Sequence, residues 1–396
     1  MSKWKTKSLK DLTLQITDGK HGDCQNQNAS GYFFISCKDI YGGKINYDNA
    51  RQITHNDYLD THKRTRLEVN DILITNSGTI GRMAFINNPE LCTKTTFQKS
   101  VAIVKPDSQK IYPKYLYYLL QNLVDDFINS SNGSAQKNLL LSTMRSFSIS
   151  YLEDIKEQRK IADVLSAYDD LIENNRKQIK LLEEAAQRFY KEWFIDLRFP
   201  GYENTKIING IPAGWEKKKL IEIADITMGQ SPKSEFYNSN RDGLPFHQGV
   251  GSFGTRFVID ETYSSSFSRV AESGDILFSV RAPVGRLNIT LNKIAIGRGL
   301  AAIKQKNNLQ SLLYYMLKEH FFKDDIIGNG SIFASITKDE LTNFVLLVPR
   351  QDICEKFNTL TKDIDSKIMI LDKQIREIKE ARDRLLPKLM NGELEV

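Results

Sequence analysis

The sequence predicts an α+β protein in which two similar α/β domains are joined by two long helices packed as an antiparallel coiled coil, with pseudo-twofold symmetry. Three observations predict this fold class. Two stretches carry apolar residues at alternating steps of three and four, short motifs recur about half a chain length later, and a Gly- and Pro-rich segment separates the halves. We predict a first domain over residues 1–150, a first spacer helix over 151–199, a second domain over 200–350 and a second spacer helix over 351–396.

The first long helix is predicted over residues 158–194. Its seam has one polar position and is otherwise apolar: Ile161, Leu165, Tyr168, Ile172, Asn175, Ile179 and Leu182. A heptad pattern sustained this long favours a coiled coil over a surface helix, and a single Asn in such a seam fixes the register. At ~1.5 Å per residue the helix is roughly 55 Å long.

The second long helix repeats the pattern after residue 353. Its central seam positions are Ile364, Ile368, Leu371, Ile375 and Ile378. Leu360 continues the seam towards the start of the helix, and Arg382 occupies a seam position near the end, which predicts looser packing there. Residues 177–185 resemble residues 373–381, so a duplicated and mutually packed pair is favoured over two unrelated amphipathic helices.

The first domain combines short strands with one helix. We predict strands at 32–36, 71–75, 83–86 and 100–104 and a helix at 113–129. The polar stretches 46–66 and 88–98 are expected to be loops.

The second domain repeats motifs of the first in the same order. The paired motifs are Asp71-Ile72-Leu73 with Gly81-Arg82 and Asp275-Ile276-Leu277 with Gly285-Arg286, then Asn132-Gly133-Ser134 with Phe147 and Asn329-Gly330-Ser331 with Phe344. Trp4 recurs as Trp215, and the turn at Gly19 recurs at Gly229. The chain therefore consists of one unit copied once.

Charge separates the domains from the helices. Residues 1–150 carry a net charge of +6 and residues 201–350 a net charge of +3, whereas residues 151–200 carry −2 and residues 351–396 carry −1. A polyanion would therefore bind the domains and not the helices.

Several classes of site are excluded or disfavoured by the motifs. The Walker-type phosphate loop, the serine-hydrolase elbow, the zinc-protease helix and the motif of an amino-methyltransferase do not occur. The carboxylate pairs Asp125-Asp126 and Asp324-Asp325 fit a solvated helix face better than an acid/base pair. Four dispersed cysteines and five dispersed histidines predict neither a disulfide framework nor a metal site. No long apolar run or signal peptide is present, so no membrane partner and a cytoplasmic location are expected.

Polar and basic residues in the loops are the candidates for DNA contacts, because such side chains bind phosphates and base edges. The simpler explanation is solvent exposure for the polar loop residues and a salt bridge for the arginines. The candidates are Lys20, His21, Lys38, Arg64, Arg66, Asn76, Ser77, Thr79, Arg82, Lys94, Thr96, Lys99, Lys137, Gln230, Ser231, Lys233, His247, Gln248, Arg256, Arg269, Arg281, Arg286, Arg298 and Lys338.

Three segments, with the order domain–helix–domain–helix, resemble the specificity subunit of type I restriction-modification systems. They are residues 210–215 (GIPAGW), residues 274–286 (GDILFSVRAPVGR) and the ending at residues 385–394 (LLPKLMNGEL). The first half departs from the pattern, because residues 76–80 (NSGTI) stand where residues 279–284 (SVRAPV) stand in the second.

This resemblance implies that each domain is a target-recognition domain that reads one half of a bipartite, asymmetric sequence in double-stranded DNA. The helix pair would set the spacer between the half-sites. Two modification subunits would supply adenine methylation with S-adenosylmethionine, and restriction subunits would supply ATP- and Mg-dependent translocation and cleavage. This chain itself would be non-catalytic and hold no cofactor.

Two other hypotheses remain open at this point. One is a coiled-coil adaptor whose domains bind proteins and have no DNA specificity. The other is a self-sufficient methyltransferase or nuclease with unrecognised motifs, which predicts that the purified chain alone binds S-adenosylmethionine or modifies DNA.

Overall fold

The computed structural model describes residues 3–131, 133, 137–321 and 335–396. The chain divides into two compact units: unit 1 is Met1–Asn174 with Gln374–Val396, and unit 2 is Asn175–Lys373. The predicted motif residues Asn132, Ser134 and 329–331, and the carboxylate pair Asp324-Asp325, lie outside the described residues.

Unit 1 begins with ten strands and five short helices. The strands are β1 Trp4–Ser8, β2 Thr13–Asp18, β3 Phe33–Ile35, β4 Ile40–Tyr41, β5 Lys44–Ile45, β6 Ile72–Thr75, β7 Met83–Phe85, β8 Thr95–Phe97, β9 Val101–Pro106 and β10 Ser148–Leu152. The helices are α1 His55–Thr65, α2 Pro89–Cys92, α3 Pro113–Asn122, α4 Val124–Asn129 and α5 Leu141–Ser146. The long helix α6, Ile155–Tyr190, begins in unit 1 and ends in unit 2.

The centre of unit 1 is a four-stranded antiparallel sheet in the order β2-β9-β6-β7. Alternation along β6 sends Ile72 and Ile74 to one face, where α3, α6 and the end of the chain supply Leu116, Leu165 and Leu389. Leu73 points to the opposite face and joins a second cluster of buried apolar residues. That cluster includes residues of β3 and β8, which pair in parallel.

Unit 2 repeats this organisation with its own strands and helices. The strands are β11 Ile207–Ile208, β12 Ile211–Pro212, β13 Glu216–Lys219, β14 Ala224–Met228, β15 Tyr237–Asn238, β16 Leu244–His247, β17 Tyr263–Ser264, β18 Val270–Ala271, β19 Ile276–Ser279, β20 Leu287–Ile289, β21 Ile294–Ile296, β22 Leu300–Gln305 and β23 Val345–Val348. The helices are α7 Leu220–Ile223, α8 Gln310–Phe321, α9 Lys338–Thr342 and the long α10 Gln351–Met390, which ends in unit 1.

The strand order β14-β22-β19-β20 and the parallel pair β16–β21 match the internal topology of unit 1. One face of the sheet packs Ile276 and Phe278 against α8 and against Tyr190 and Phe357 of the two long helices. The other face packs Leu277 with β21 and β22. The duplicated motifs therefore fold into duplicated elements.

The long helices contribute to the core of each unit. Apart from Leu360, every predicted seam residue is buried or half-buried, including Asn175. In unit 2, the rings of Tyr190 and Phe194 lie 5.9 and 4.9 Å from Phe357. The prediction that Leu360 is a further seam position is wrong, because 38% of this residue is exposed. The first helix starts earlier than predicted because Asp154 caps it, accepting the N–H of Lys156 at 2.8 Å.

Two of the predicted loops contain regular structure. Helix α1 lies within 46–66, where Thr54 accepts the N–H of Asp57 at 3.3 Å and Tyr58 turns into the protein. Stretch 88–98 contains α2 and β8. The predicted helix at 113–129 is interrupted at Leu123 and forms the two helices α3 and α4.

Candidate nucleic-acid interface

The loop that joins β6 to β7 in unit 1 closes around the hydroxyl of Thr75. This oxygen accepts the N–H of Arg82 at 2.9 Å and donates to the carbonyl of Thr79. The N–H of Gly81 donates to the Thr75 carbonyl at 2.9 Å. Gly81 has φ +86, and an added Cβ would lie 2.5 Å from a methyl group of Val124, so glycine is required there. The tip of the loop is therefore held in one conformation.

Unit 2 builds the same loop between β19 and β20 around Ser279. Its hydroxyl donates to the Pro283 carbonyl at 2.6 Å and accepts the N–H of Arg286 at 2.8 Å. The N–H of Gly285 donates to the Ser279 carbonyl at 3.0 Å. The role of these hydroxyls was missed from the sequence, although Thr75 and Ser279 occupy the same place in the repeat.

A second turn lies at the same end of the sheet in unit 1. The registers Asp18–Ala102 and Thr75–Val101 place the end of β2, the end of β6 and the start of β9 at one edge. Just beyond β2, the N–H of Lys20 donates to the Phe97 carbonyl at 2.8 Å. The loop after β2 therefore lies beside three others: the loop before β9, the loop after β3 and the loop after β6.

Unit 2 has the equivalent turn after β14. The N–H of Gln230 donates to the Ile296 carbonyl at 2.9 Å. A Cβ at Gly229 would lie 2.2 Å from the Gly297 carbonyl oxygen, just as a Cβ at Gly19 would lie 2.0 Å from that of Phe97. Only glycine permits the two backbone segments to approach so closely.

Polar and basic side chains gather at this loop end in both units. In unit 1 they are the half-buried Lys20 and Ser77 and the exposed Lys38, Thr79, Lys99 and Lys137. In unit 2 they are the half-buried Ser231 and the exposed Gln230, Gln248, Arg281 and Arg298. We call these two sets the loop surface of each unit. Their chemistry suits DNA, since Lys and Arg bind phosphates and Gln, Ser and Arg bind base edges.

Other candidates lie near these loops or on other parts of the surface. Arg82 and Arg286 precede β7 and β20, Arg66 caps α1, Lys94 precedes β8 and Lys338 begins α9. The carbonyl of Arg269 accepts the N–H of Ile296 at 3.1 Å, which places Arg269 beside the loop surface of unit 2. Arg286 is half-buried and the other five are exposed.

Four candidates are corrected by the structure, because their side chains are buried. The exposed fractions are 5% for Asn76, 0% for Thr96, 1% for His247 and 1% for Arg256. His247 contacts Ser252 at 2.7 Å and Asp260 at 3.0 Å through its two ring nitrogens. In this conformation none of the four can present a side chain to DNA.

Four further candidates are engaged by carboxylates. Lys20 pairs with Asp57 at 3.2 Å and with Asp60 at 3.4 Å. Arg64 and His21 share Asp18, and Lys233 lies 3.7 Å from Glu235. These pairs weaken the positive potential that Lys20, Arg64 and Lys233 offer to a polyanion, and the carboxylate of Asp18 also faces His21.

Arg256 instead connects the loop that carries it to both long helices. Its Nη2 lies 2.5 Å from Asp365 Oδ1 on α10, and its Nη1 lies 3.6 Å from Glu183 Oε1 on α6. The guanidinium carbon lies 3.7 Å from the centre of the Tyr314 ring. Tyr315 also donates to Asp365, at 3.0 Å. This cluster positions the domain and was not predicted.

Unit 1 has a related cluster with the arginine in another place. Tyr118 donates to Asp169 of α6 at 2.6 Å, as Tyr315 does to Asp365. Here the arginine comes from α10, where Arg382 pairs with Asp169. The polar seam position predicted at Arg382 is thus filled by an ion pair.

Two buried carboxylates support the loop-bearing strands from the opposite end. Burial raises the pKa of Asp71 to about 6, although Lys105 Nζ lies 2.6 Å away and opposes the shift. Burial also raises the pKa of Asp275, which accepts the N–H of Glu272 at 2.8 Å. Both residues precede the central strand of their sheet, so these are structural carboxylates in equivalent places.

Two features are absent from the described residues. Across 3–131, 133, 137–321 and 335–396, no group of three or more His, Cys, Asp or Glu side chains is arranged to hold a metal ion. None of the helices in that part of the chain has the length and apolar character that a bilayer crossing requires.

Comparisons with known proteins give one consistent result. The family model described as "Type I restriction modification DNA specificity domain" matches residues 1–184 and 212–380. The chain is 29% identical to the type I restriction enzyme MjaIX specificity subunit of Methanocaldococcus jannaschii, over 91% of this chain and 89% of that protein. It is 21% identical to the HindI specificity subunit of Haemophilus influenzae, over the full length of both.

A solved structure resembles the fold. It is the crystal structure of the S subunit of a type I restriction-modification system from M. genitalium, with a TM-score of 0.56 and 16% identity. The similarity covers 98% of this chain and 96% of that one.

Proposed function

We propose, from the premise that this chain belongs to the type I restriction-modification DNA specificity family, that each of its units reads one half of a bipartite DNA target. The chain is a specificity subunit: its role is to recognise the DNA target, and it is not the catalytic component. The observation that carries the proposal is the duplicated loop surface, built on the same hydrogen bonds to the hydroxyls of Thr75 and Ser279 but carrying different side chains. Two such surfaces suit two different half-sites.

The same loops supply both affinity and discrimination in this proposal. Lys38, Lys99, Arg281 and Arg298 would neutralise phosphates, so binding should weaken as salt rises. Gln and Ser side chains of the loop surfaces would contact base edges. The division into target-recognition domains at 1–150 and 200–350 and spacer helices at 151–199 and 351–396 is part of the proposal.

We propose that α6 and α10 form an antiparallel coiled coil that sets the distance between half-sites, with pseudo-twofold symmetry. Supporting this, each helix has one end in each unit, and the seam residues other than Leu360 are buried or half-buried along both helices. With 36 and 40 residues, the helices are roughly 54 and 60 Å long. Half-sites on one face of B-DNA are about 34 Å apart per turn, which such a pair can span.

Partners would supply the chemistry. We propose that two modification subunits and the restriction subunits assemble with this chain in the cytoplasm. S-adenosylmethionine, ATP and Mg would be bound by those partners. A protein-binding adaptor without DNA specificity is disfavoured by the family assignment.

A domain exchange tests whether each unit recognises its half-site independently of the other. Residues 1–150 are replaced by the corresponding domain of another family member, and the assembled complex is used to methylate random DNA. One half of the methylated target should change, while the other half and the spacer stay the same. A change in both halves would contradict independent reading by the two units.

A second experiment tests the spacer role of the helices. Three heptads are inserted into α6 after Asn174 and three into α10 after Lys373, which keeps the seam in register. The insertion adds roughly 31 Å, close to one turn of B-DNA. The preferred spacer should lengthen by about nine base pairs with both half-sites unaltered. An unchanged spacer would show that the helices do not set it.

A further inference from the structure

We infer that Gln248 reads the acceptor edge of guanine in the half-site recognised by unit 2, and that Ser231 is its positioning residue. The inference rests on the proposed function and assigns one contact within it. Gln248 directly follows β16, and Ser231 lies in the turn that follows β14.

Ser231 joins the two loops with a single hydroxyl. Its Oγ accepts the N–H of Arg298 at 3.1 Å and donates to Oε1 of Gln248 at 2.7 Å. The only proton of this hydroxyl is thereby directed at the amide oxygen. The amide of Gln248 is held in one orientation, and its oxygen is already engaged.

The Gln248 amide nitrogen therefore remains the group available to a ligand. Gln248 is exposed, and its Nε2 has no hydrogen-bond partner among the described residues. An amide nitrogen carries two N–H donors and no acceptor. The residue thus presents its two N–H donors in an orientation set before DNA binds, while Ser231 occupies one lone pair of its oxygen.

Two glycines make room for this side chain. A Cβ at Gly297 would lie 2.6 Å from Oε1 and 3.0 Å from Cα of Gln248. A Cβ at Gly299 would lie 2.5 Å from the Gln248 carbonyl oxygen. Any other residue at these positions would displace the glutamine, so the loops are shaped around it.

Unit 1 has the same backbone but different side chains at this place. The N–H of Gly297 donates to the His247 carbonyl at 2.8 Å, and the N–H of Gln98 donates to the Ile35 carbonyl at 2.9 Å. Ser36 therefore stands where Gln248 stands in unit 2. Its buried hydroxyl donates to Asp39 at 2.7 Å and is not presented outward. A shared frame with a changed exposed side chain is what two different half-sites require.

The donors of Gln248 select the base. In the major groove, guanine presents the acceptors N7 and O6, adenine presents the acceptor N7 beside an N6 donor, thymine presents the acceptor O4, and cytosine presents an N4 donor. The two N–H donors of Gln248 therefore match guanine best, because guanine presents two acceptors side by side, and they mismatch cytosine. A carboxylate at the same position would accept from cytosine N4 and repel the guanine acceptors.

The test uses the full chain assembled with its modification subunits and a DNA library randomised at each position of both half-sites. We expect Gln248→Glu to change the preferred base at one position of one half-site, lowering discrimination for guanine by about ten- to a hundredfold and favouring cytosine. Ser231→Ala should lower discrimination at that same position without a new preference. Gln187→Glu, the same change on an exposed position of α6, is the matched control and should keep the wild-type target.

Each other outcome would overturn the inference. An unchanged preference in Gln248→Glu, or a uniform loss of methylation on every target, would show that Gln248 does not read a base. An equal change in Gln187→Glu would assign the effect to net charge. In all these cases the wild-type complex would still methylate a bipartite target, so the proposed function would stand. If Gln248→Glu altered both half-sites, the modular function itself would fail.

Discussion

Replacing Arg256 with Met should destabilise unit 2 without affecting unit 1. The guanidinium is 1% exposed, pairs with Asp365 and Glu183 and stacks on Tyr314. Removing one member of a buried ion pair typically costs about 3–5 kcal/mol, because a charge is left without its partner. The Asp365 and Glu183 side chains keep 21% and 18% of their exposure. Water can therefore solvate them partly, and we expect a loss of about 3 kcal/mol.

Hydrogen exchange is the suitable assay, because a chain with two units need not unfold in one step. Protection should fall in β19, β22 and α8 of unit 2 and stay constant in β6, β9 and α3 of unit 1. Arg350→Met is the matched control, since Arg350 forms an exposed pair with Asp352 that contributes at most about 1 kcal/mol. If Arg256→Met and Arg350→Met lost equal protection, the anchoring role of Arg256 would be refuted.

Two further predictions concern the strands that carry the loops. Burial raises the pKa of Asp275 above its value of 3.8 in the unfolded chain, so the folded state keeps the proton to higher pH. The free energy of unfolding should then fall as the pH rises from about 4 through the folded pKa. Asp275→Asn keeps an acceptor for the N–H of Glu272 and should reduce this pH dependence, measured by denaturant titrations at several pH values. An unchanged dependence of the free energy of unfolding on pH would contradict this prediction. Gly285→Ala should cost about 2–4 kcal/mol, combining a left-handed backbone with overpacking, because its Cβ would lie 2.9 Å from Cβ of Phe321. Gly274 also has a positive φ, +87, but a Cβ added there would meet no atom within 4 Å. Gly274→Ala should therefore lower the free energy of unfolding by only about 1–2 kcal/mol in the same titration. Equal losses of stability in the two variants would exclude the packing effect.

Local patterns in the sequence predicted the elements well. The heptad seam from Ile161 to Leu182 needs no information beyond the spacing of apolar residues, and the structure buries or half-buries each of them. The repeated motifs around Asp71 and Asp275 predicted two units of equal topology, and both sheets have the same strand order. Helix α1 was missed because its buried face is formed by Tyr58 and threonines, which carry a weak apolar signal.

The candidate site was predicted less completely, since exposure is not a local property. Arg256 and Arg298 are both arginines in loops near glycine, yet one is buried against two long helices and the other is exposed. Their difference depends on Glu183 and Asp365, which lie far away in the chain. Likewise, His247 and Gln248 are adjacent, but the strand directs His247 to Asp260 and leaves Gln248 at the surface.

The sequence by itself determined the duplication, the two long helices and the basic character of both domains, because periodicity, repeats and charge can be read along a single chain. Only the tertiary structure decided which polar side chains reach the surface and which are used to hold the domains on the helices. The physical reason is that burying a charge requires a partner. Folding, and not sequence neighbourhood, brings Asp365 to Arg256 and Asp169 to Arg382.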